Sequence, residues 1–156
     1  MGRVAFAHLQ KQKVDCAWID LSEMDLPLCD ADKCYNMPAS KKLSAEIEAA
    51  DGILVAAPVY NYDVAAAAKH MIEVTGSAWE DKIVGFLCAA GGTASYMSVM
   101  AYANSLMLDF RCVIIPRFVF ATGEAFDGGN ITDKKITKRV EQVANELVRF
   151  TEALRS

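Results

Sequence analysis

The sequence predicts an α/β domain in which a mostly parallel sheet lies between two layers of helices. Apolar periodicity along the chain switches repeatedly between the spacing of a helix and that of a strand. Residues 52–57 and 82–90 are nearly uninterrupted apolar runs, which are typical of strands buried on both faces. The alternation of such strands with helices favours parallel pairing in a three-layer arrangement.

The first third of the chain predicts a helix, a strand, a loop and a second helix. Residues 4–12 have apolar side chains at helical spacing, whereas residues 14–21 have the composition of a strand. The polar residues 30–40 are typical of a loop. Ser40 or Ser44, either of which is a good N-cap, begins a helix that ends where the first buried run starts.

The rest of the chain continues the alternation. Helices are predicted over residues 64–76 and from Gly91 to about residue 109. Residues 112–121 predict a strand, and Pro116 within it favours an edge position because proline cannot donate to a sheet ladder. Residues 133–154 predict a closing helix. Its apolar positions are Ile136, Val140, Val143, Leu147 and Phe150.

Size and composition predict one soluble domain over residues 1–156, because the chain has no repeat, low-complexity tract or linker. A net charge of -4 argues against a general surface for nucleic acid or anionic membranes. No apolar run approaches the roughly 18 residues that cross a bilayer, and the first residues lack the pattern of a signal peptide. We therefore expect a cytoplasmic protein with neither a nucleic-acid nor a membrane partner.

Cysteine and histidine residues provide no reactive constellation. The five cysteines are odd in number and lack Cys-x-x-Cys spacing, which predicts reduced thiols. Cys29 and Cys34 flank an Asp-rich turn, but their spacing is poor for a metal site. His8 and His70 lie in helical segments without a paired acid or nucleophile within sequence reach. We predict no metal site and no catalytic side chain.

The first candidate site is the loop that follows the strand of residues 52–57. The carboxyl ends of strands are where open α/β sheets bind ligands, and tyrosine walls with an amide side chain suit a flat polar-edged molecule. The alternative is an ordinary strand-ending turn whose tyrosine rings pack on the core. The candidate residues are Pro58, Val59, Tyr60, Asn61 and Tyr62.

The second candidate site follows the next buried strand. It consists of Ala90, Gly91, Gly92 and Thr93. Glycines let the backbone approach a ligand closely, and amides that open a following helix favour negative charge. The alternative is a plain connecting turn. Two such loops at successive strand ends favour one shared ligand site.

These motifs together resemble a known family. Pro58-Val59-Tyr60-Asn61, followed by Lys69 and Ile72, resembles the Pro-x-Tyr-Asn loop of the NADPH-dependent FMN reductase family of flavodoxin-like proteins. Residues 89–93 resemble that family's second flavin loop. The resemblance covers nearly the whole chain in order, and it implies a flavodoxin-like three-layer αβα sandwich.

The resemblance also implies a function. NADPH or NADH would supply hydride to bound FMN, and electrons would pass to a free flavin, a quinone, an azo compound or a metal oxyanion. Residues 58–62 would cover one side of the ring, and residues 90–93 would lie at its pyrimidine edge. Tyr62 and Asp63 stand where the family often has a small residue and Ser, which alters ring access and local charge. A homodimer or homotetramer is implied because the region of residues 65–68 commonly lies at a subunit interface; alternatively these alanines pack on their own sheet.

The amino terminus departs from the family. Residues 1–3 already align with the family's first helix, so the chain as written is N-terminally truncated relative to the family and lacks its first strand and phosphate loop. One hypothesis is a start upstream of Met1; the other is a short chain that pairs residues 14–21 with residues 52–57 or shares strands with another copy. The alternative functions are a truncated binding or interaction domain without FMN, and a flavodoxin-like electron carrier, which the lack of a strong acidic excess disfavours.

Overall fold

A computed structural model describes residues 1–154 of the chain, in which a central sheet is flanked by helices. The helices are α1 (Gly2–Lys11), α2 (Pro38–Ala49), α3 (Ala66–Thr75), α4 (Val99–Phe110) and α5 (Lys134–Leu154). The strands are β1 (Gly52–Tyr60), β2 (Asp63–Val64), β3 (Ile83–Ala90), β4 (Val113–Ile114), β5 (Val119–Thr122), β6 (Phe126–Asp127) and β7 (Asn130–Ile131).

The sheet is mostly parallel and is centred on the two buried runs of the sequence. β1 pairs with β3 in parallel from Gly52 opposite Ile83 to Val59 opposite Ala90. On its other edge β3 pairs in parallel with β4 at its amino end and with β5 at its carboxyl end. The short β2 turns back antiparallel to β1, and β6 and β7 form a separate hairpin. The predicted parallel sheet is confirmed.

Two cores lie on opposite faces of the sheet. Phe86 and Leu87 are neighbours in β3, so their side chains point to opposite faces. Phe86 packs with Leu43 of α2 and Leu106 of α4, whereas Leu87 packs with Leu9 of α1 and with α5. This arrangement is the predicted three-layer sandwich, and it leaves the carboxyl ends of β1, β3 and β5 free to hold loops.

The strand predicted over residues 14–21 is wrong. Residues 14–20 form neither helix nor strand, and Leu21–Glu23 is a 3₁₀ turn. The proposed pairing of this segment with residues 52–57 is therefore also wrong. The composition of residues 14–21 indicates half-buried side chains, and Val14 and Cys16 do pack on the core beneath α1. A strand also needs a neighbouring backbone with which to form hydrogen bonds.

One edge of β1 remains largely open. The carbonyl oxygen of Pro58 accepts a hydrogen bond of 2.9 Å from the amide of Ala65, on the edge away from β3. Because backbone groups alternate along a strand, Leu54 and Ala56 present their amides and carbonyls to that same edge. Within residues 1–154, the only strand that pairs there is β2, at Val59 and Tyr60.

Two further elements differ from the sequence prediction. The helix predicted from Gly91 starts instead as a 3₁₀ segment, Thr93–Ser98, and α4 begins at Val99. The strand predicted over residues 112–121 is divided at Pro116 into β4 and β5, which do lie at the edge of the sheet. None of the helices in the described part of the chain is both long and apolar enough to cross a bilayer.

Candidate functional site

The first loop is a tight hairpin turn between β1 and β2. Tyr60 pairs with Asp63, so Asn61 and Tyr62 are the two central residues, and their φ angles are 51° and 65°. Two-residue hairpin turns favour this left-handed backbone at both positions. Asn accepts it readily, whereas for a bulky residue such as Tyr62 it is a strained conformation that costs about 1 kcal/mol or more.

The tyrosine rings of this turn project into solvent. Tyr60 is 63% exposed and Tyr62 is 71% exposed. The alternative in which these rings pack on the core is therefore wrong. A strained turn that presents two aromatic rings to solvent does little for folding, so the arrangement is suited to contact with a ligand or a partner.

The second loop leaves the sheet beside the first. Val59 is opposite Ala90 in the ladder between β1 and β3, and Ala90 is in turn opposite Thr122 of β5. Three parallel strands thus end at one level, and the loops that follow them share one rim of the sheet. This is the position at which open α/β sheets bind ligands.

A cleft of about 550 Å³ opens along this rim. Its lining combines residues from all three strand ends with one from β6: Val59, Tyr60, Asn61, Ala89, Ala90, Gly91, Gly123 and Phe126. A neighbouring cleft of about 360 Å³ is lined by Gly91, Gly92, Thr93, Thr122, Gly123 and Glu124. Gly91 and Gly123 line both clefts, so the two form one continuous depression.

The predicted site residues are distributed over this depression. The larger cleft contains Val59, Tyr60, Asn61, Ala90 and Gly91, and the smaller one contains Gly92 and Thr93. Pro58 and Tyr62 line neither cleft, although both are exposed beside the turn. The structure therefore brings the two predicted loops together at one site.

Sequence reasoning missed the third loop of the site. Thr122 ends β5, Gly123, Glu124 and Phe126 follow it, and all four contribute to the clefts. Their signal was available, because a glycine directly after an apolar strand is the same pattern that marked the second loop. It was obscured because Pro116 made the preceding strand look like a peripheral one.

The glycines of the depression have no role in packing the protein. A Cβ atom built on Gly91, Gly92 or Gly123 meets no heavy atom within 4 Å, and none of the three has a left-handed φ. Larger side chains are therefore compatible with the fold at these positions, but they would project into the depression. Bare backbone at this place leaves room for a flat ligand.

The polar groups around the depression are acidic or neutral. Glu124 is one of the lining residues, and Asp63 accepts a 2.7 Å hydrogen bond from the amide of Val64 beside the turn. Among the described residues that line the two clefts, none is Lys or Arg. Beneath the site, burial raises the pKa of the Cys88 thiol to about 11, so this thiol stays protonated at neutral pH.

The two histidines line neither cleft. The ring of His8 is hydrogen-bonded at 2.8 Å to the side chain of Asn145 in α5, and His70 lies 4.0 Å from Glu73 on its own helix. Residues 1–154 contain no cluster of three or more His, Cys, Asp or Glu side chains that could hold a metal ion.

Comparison with known proteins identifies the family. The sequence model of the family described as NADPH-dependent FMN reductase matches residues 1–127. The chain belongs to this family. This match confirms the predicted family. It also confirms the predicted cofactors, FMN and NAD(P)H, and the prediction that the protein is an oxidoreductase.

Individual relatives agree with the family. An NADPH:quinone oxidoreductase of Arabidopsis thaliana is 30% identical over an alignment of 145 positions, which covers 86% of this chain and 73% of the relative. An FMN reductase (NADPH) of Pseudomonas aeruginosa is 29% identical over an alignment of 138 positions, which covers 86% of this chain and 74% of that protein. A flavoenzyme NAD(P)H:(acceptor) oxidoreductase of Paracoccus denitrificans superposes with a TM-score of 0.78 at 20% identity, covering 97% of this chain and 87% of that one. This likeness confirms the flavodoxin-like fold.

The depression fits one part of FMN better than another. Apolar walls at Val59 and Ala90, exposed tyrosine rings and bare glycine backbone match the flat isoalloxazine ring, whose edge of carbonyls and nitrogens can meet the amide of Asn61. A lining without Lys or Arg offers no cation to the phosphate of FMN. The residues present therefore fit the ring of the family cofactor.

Proposed function

We propose that the depression between the Asn61–Tyr62 turn and the Gly91–Gly92 loop holds the isoalloxazine ring of FMN. The observation that carries the proposal is the pairing of Val59 with Ala90, because it sets two loops of matching chemistry side by side at one sheet edge. When bound, the flavin supplies the redox chemistry by accepting hydride from NAD(P)H and passing electrons to an acceptor. The protein binds the flavin, orients it and shields it.

Each loop has its own task in this proposal. Pro58, Val59, Tyr60, Asn61 and Tyr62 form one side of the ring site, and Ala90, Gly91, Gly92 and Thr93 face its pyrimidine edge. The side-chain amide of Asn61 both donates and accepts, so it can pair with the polar edge of the ring. The exposed backbone at Gly91 and Gly92 allows close approach of donors to that edge.

The acceptor is proposed to be a neutral, flat conjugated molecule such as a quinone, a free flavin or an azo compound. The rings of Tyr60 and Tyr62 are exposed and can stack on a flat acceptor. The carboxylates of Asp63 and Glu124 stand at the rim, and like charge disfavours a metal oxyanion there. A neutral quinone avoids this repulsion.

We also propose a cytoplasmic homodimer or homotetramer, with residues 1–156 as one domain. Ala66 and Ala67 of α3 are exposed next to the tyrosine turn, whereas Ala68 is buried in the core. Small exposed side chains let a second helix approach closely. Light scattering should give the mass of a dimer or tetramer for the wild type and a lower mass for Ala67→Glu. A wild-type monomer at micromolar concentration would contradict the proposed oligomeric state.

The experiment that tests the site is an FMN titration followed by flavin fluorescence, then NADPH oxidation with a soluble quinone as acceptor. The variant Asn61→Gly keeps the left-handed turn but removes the amide, and we expect FMN affinity to fall about five- to tenfold, the effect of one hydrogen bond of about 1–1.5 kcal/mol. Lys13→Gly is the matched control, because Lys13 also has a positive φ, 63°, and lies outside the depression.

Two results would contradict the proposal. One is the failure of the wild-type chain to bind FMN at all. The other is equal FMN affinity for Asn61→Gly, Lys13→Gly and the wild type, which would place the flavin away from the turn.

A further inference from the structure

Two thiols meet in the loop that precedes α2, outside the depression. The Sγ atoms of Cys29 and Cys34 are 3.8 Å apart, and the hydroxyl of Tyr35 lies 3.9 Å from Sγ of Cys29. A disulfide has a sulfur–sulfur distance of about 2.05 Å, so the two sulfurs need to approach by roughly 2 Å. Rotation of the two side chains can supply a movement of this size.

The backbone between the two cysteines is already folded into a turn. One carboxylate oxygen of Asp30 accepts hydrogen bonds from the amide of Asp32 at 3.1 Å and from the amide of Cys34 at 2.9 Å. Ala31 has a φ of 59°, which reverses the chain direction. The loop thus holds both cysteines close together before any bond forms, so closure costs little additional chain entropy.

The two thiols differ in their access to solvent. Cys34 is 2% exposed, and burial raises the pKa of its thiol. Cys29 is half-buried, and its thiol donates a long hydrogen bond of 3.6 Å to the carbonyl of Glu73 in α3. A small oxidant can therefore reach Cys29 from solvent, while Cys34 is held behind it.

We propose that Cys29 and Cys34 are a peroxide-sensitive dithiol that closes reversibly to a disulfide. The thiolate of Cys29 attacks one oxygen of hydrogen peroxide, which forms a sulfenic acid at Cys29 and releases hydroxide. The sulfur of Cys34 then attacks Sγ of Cys29, the sulfur–sulfur bond forms, and the sulfenic hydroxyl leaves as water. Two thiols lose two electrons and two protons, and one peroxide becomes two waters.

Formation of the disulfide changes the packing of the loop on α3. The Cys29 thiol is the donor to Glu73, and a disulfide has no S–H to donate, so this contact is lost on oxidation. The site is independent of the flavin proposal, because its residues line neither cleft.

The sequence around the pair permits a direct test. Lys33 lies between the two cysteines, so trypsin separates Cys34 from Cys29, and only a disulfide keeps the two peptides together. Cys16 falls in the same tryptic peptide as Cys29, so the experiment uses the full chain with Cys16→Ser as well as the wild type. Both are treated with hydrogen peroxide, quenched, alkylated at remaining thiols and digested.

We expect the peptides of residues 14–33 and 34–41 to be linked in both proteins after peroxide, and to separate after dithiothreitol. In Cys34→Ser, the sulfenic acid at Cys29 should instead be trapped by dimedone. Recovery of Cys34 in alkylated, unlinked form after peroxide treatment would overturn the proposal. So would a link that disappears in Cys16→Ser, because it would assign the disulfide to Cys16.

Discussion

Val59 and Ala90 are direct partners in the parallel ladder of β1 and β3. Each is the last or nearly the last residue of its strand, so the chain leaves the sheet at the same level on both sides of the pair. The turn at Asn61 and the glycines at Gly91 and Gly92 consequently share a rim. The proposed ligand site of this FMN reductase family member is thus a product of strand register.

We expect the absence of a side chain at Gly91 to matter for ligand binding but not for the stability of the fold. We predict that Gly91→Val weakens FMN binding at least about tenfold, or about 1.4 kcal/mol, because the new side chain occupies the cleft. The free energy of unfolding should change by less than about 0.5 kcal/mol, since a Cβ there meets no protein atom within 4 Å. Flavin fluorescence and urea denaturation measure the two quantities.

A matched control for this variant is Ala101→Val, on the exposed side of α4 and outside the lining of both clefts. It should leave FMN affinity unchanged. If Gly91→Val binds FMN as tightly as Ala101→Val does, the ring does not lie against the second loop.

The lining of the clefts predicts weak discrimination between FMN and riboflavin. A charge-assisted hydrogen bond to phosphate contributes roughly 1.5–3 kcal/mol, but no Lys or Arg is among the described residues of the lining. We expect the two dissociation constants to agree within roughly fivefold, since a single such bond would already exceed that ratio. Parallel titrations measure it, and FMN binding a hundredfold tighter would show that cations outside this lining hold the phosphate.

We expect Tyr62 to lower the free energy of unfolding through its strained backbone, while its ring contacts the ligand. We predict that Tyr62→Gly raises the free energy of unfolding by up to about 1 kcal/mol, because glycine adopts the left-handed φ of 65° without strain. Turnover of a quinone should fall because the exposed ring is gone. Urea denaturation and NADPH oxidation measure these effects.

The control for Tyr62→Gly is Tyr62→Ala, which also lacks the ring but keeps a Cβ in the strained conformation. It should lose quinone turnover without gaining stability. Equal stability of the two variants would mean that the turn is not strained at this position.

The sequence was most informative where one property decided the structure. An uninterrupted apolar run requires burial on both faces, so β1 and β3 were predictable, and the loops after them had to meet once the strands were parallel. The same reasoning failed for residues 14–21. Their composition indicates which side chains are half-buried, but it carries no information on whether a neighbouring backbone is present to pair with.

The remaining errors have a similar origin in geometry that depends on distant residues. Thr93–Ser98 is 3₁₀ and α4 starts only at Val99, although the side chains throughout are compatible with one longer helix. Cys29 and Cys34 meet because Asp30 organises the turn between them, which spacing alone does not reveal. The contribution of Gly123 to the site depends on β5 pairing with the end of β3.

A buried hydrogen bond between Thr75 and Trp79 should matter for folding. The hydroxyl of Thr75 donates to the carbonyl of Met71 at 2.6 Å and accepts from Nε1 of the fully buried Trp79 at 2.8 Å. We predict that Thr75→Val, which keeps the shape, lowers the free energy of unfolding by about 1–3 kcal/mol because the indole N–H loses its acceptor. Urea denaturation followed by tryptophan fluorescence measures the loss.

Thr137→Val is the matched control for that substitution. Its hydroxyl donates to the carbonyl of Asp133 at 3.2 Å on an exposed turn of α5, where water can replace the bond. We expect a change of less than about 0.5 kcal/mol there. Equal losses in the two variants would mean that the Trp79 contact contributes nothing of its own.

The buried thiols predict that stability declines in alkaline solution. Burial raises the pKa of Cys88 and of Cys112 from an ordinary value of 9.0 to about 11, because the thiolate is poorly solvated inside the protein. The unfolded chain therefore releases these protons at lower pH than the folded chain. The free energy of unfolding falls as pH rises from 9.0 to about 11, by up to about 1.4 kcal/mol per pH unit for each thiol.

Urea denaturation at several pH values measures this decline, which should be shallower in Cys88→Ala. The control is Val119→Ala, a buried substitution without a titrating group, which should lower stability at every pH and keep the wild-type slope. The same slope in all three proteins would mean that the Cys88 thiolate is not penalised by burial.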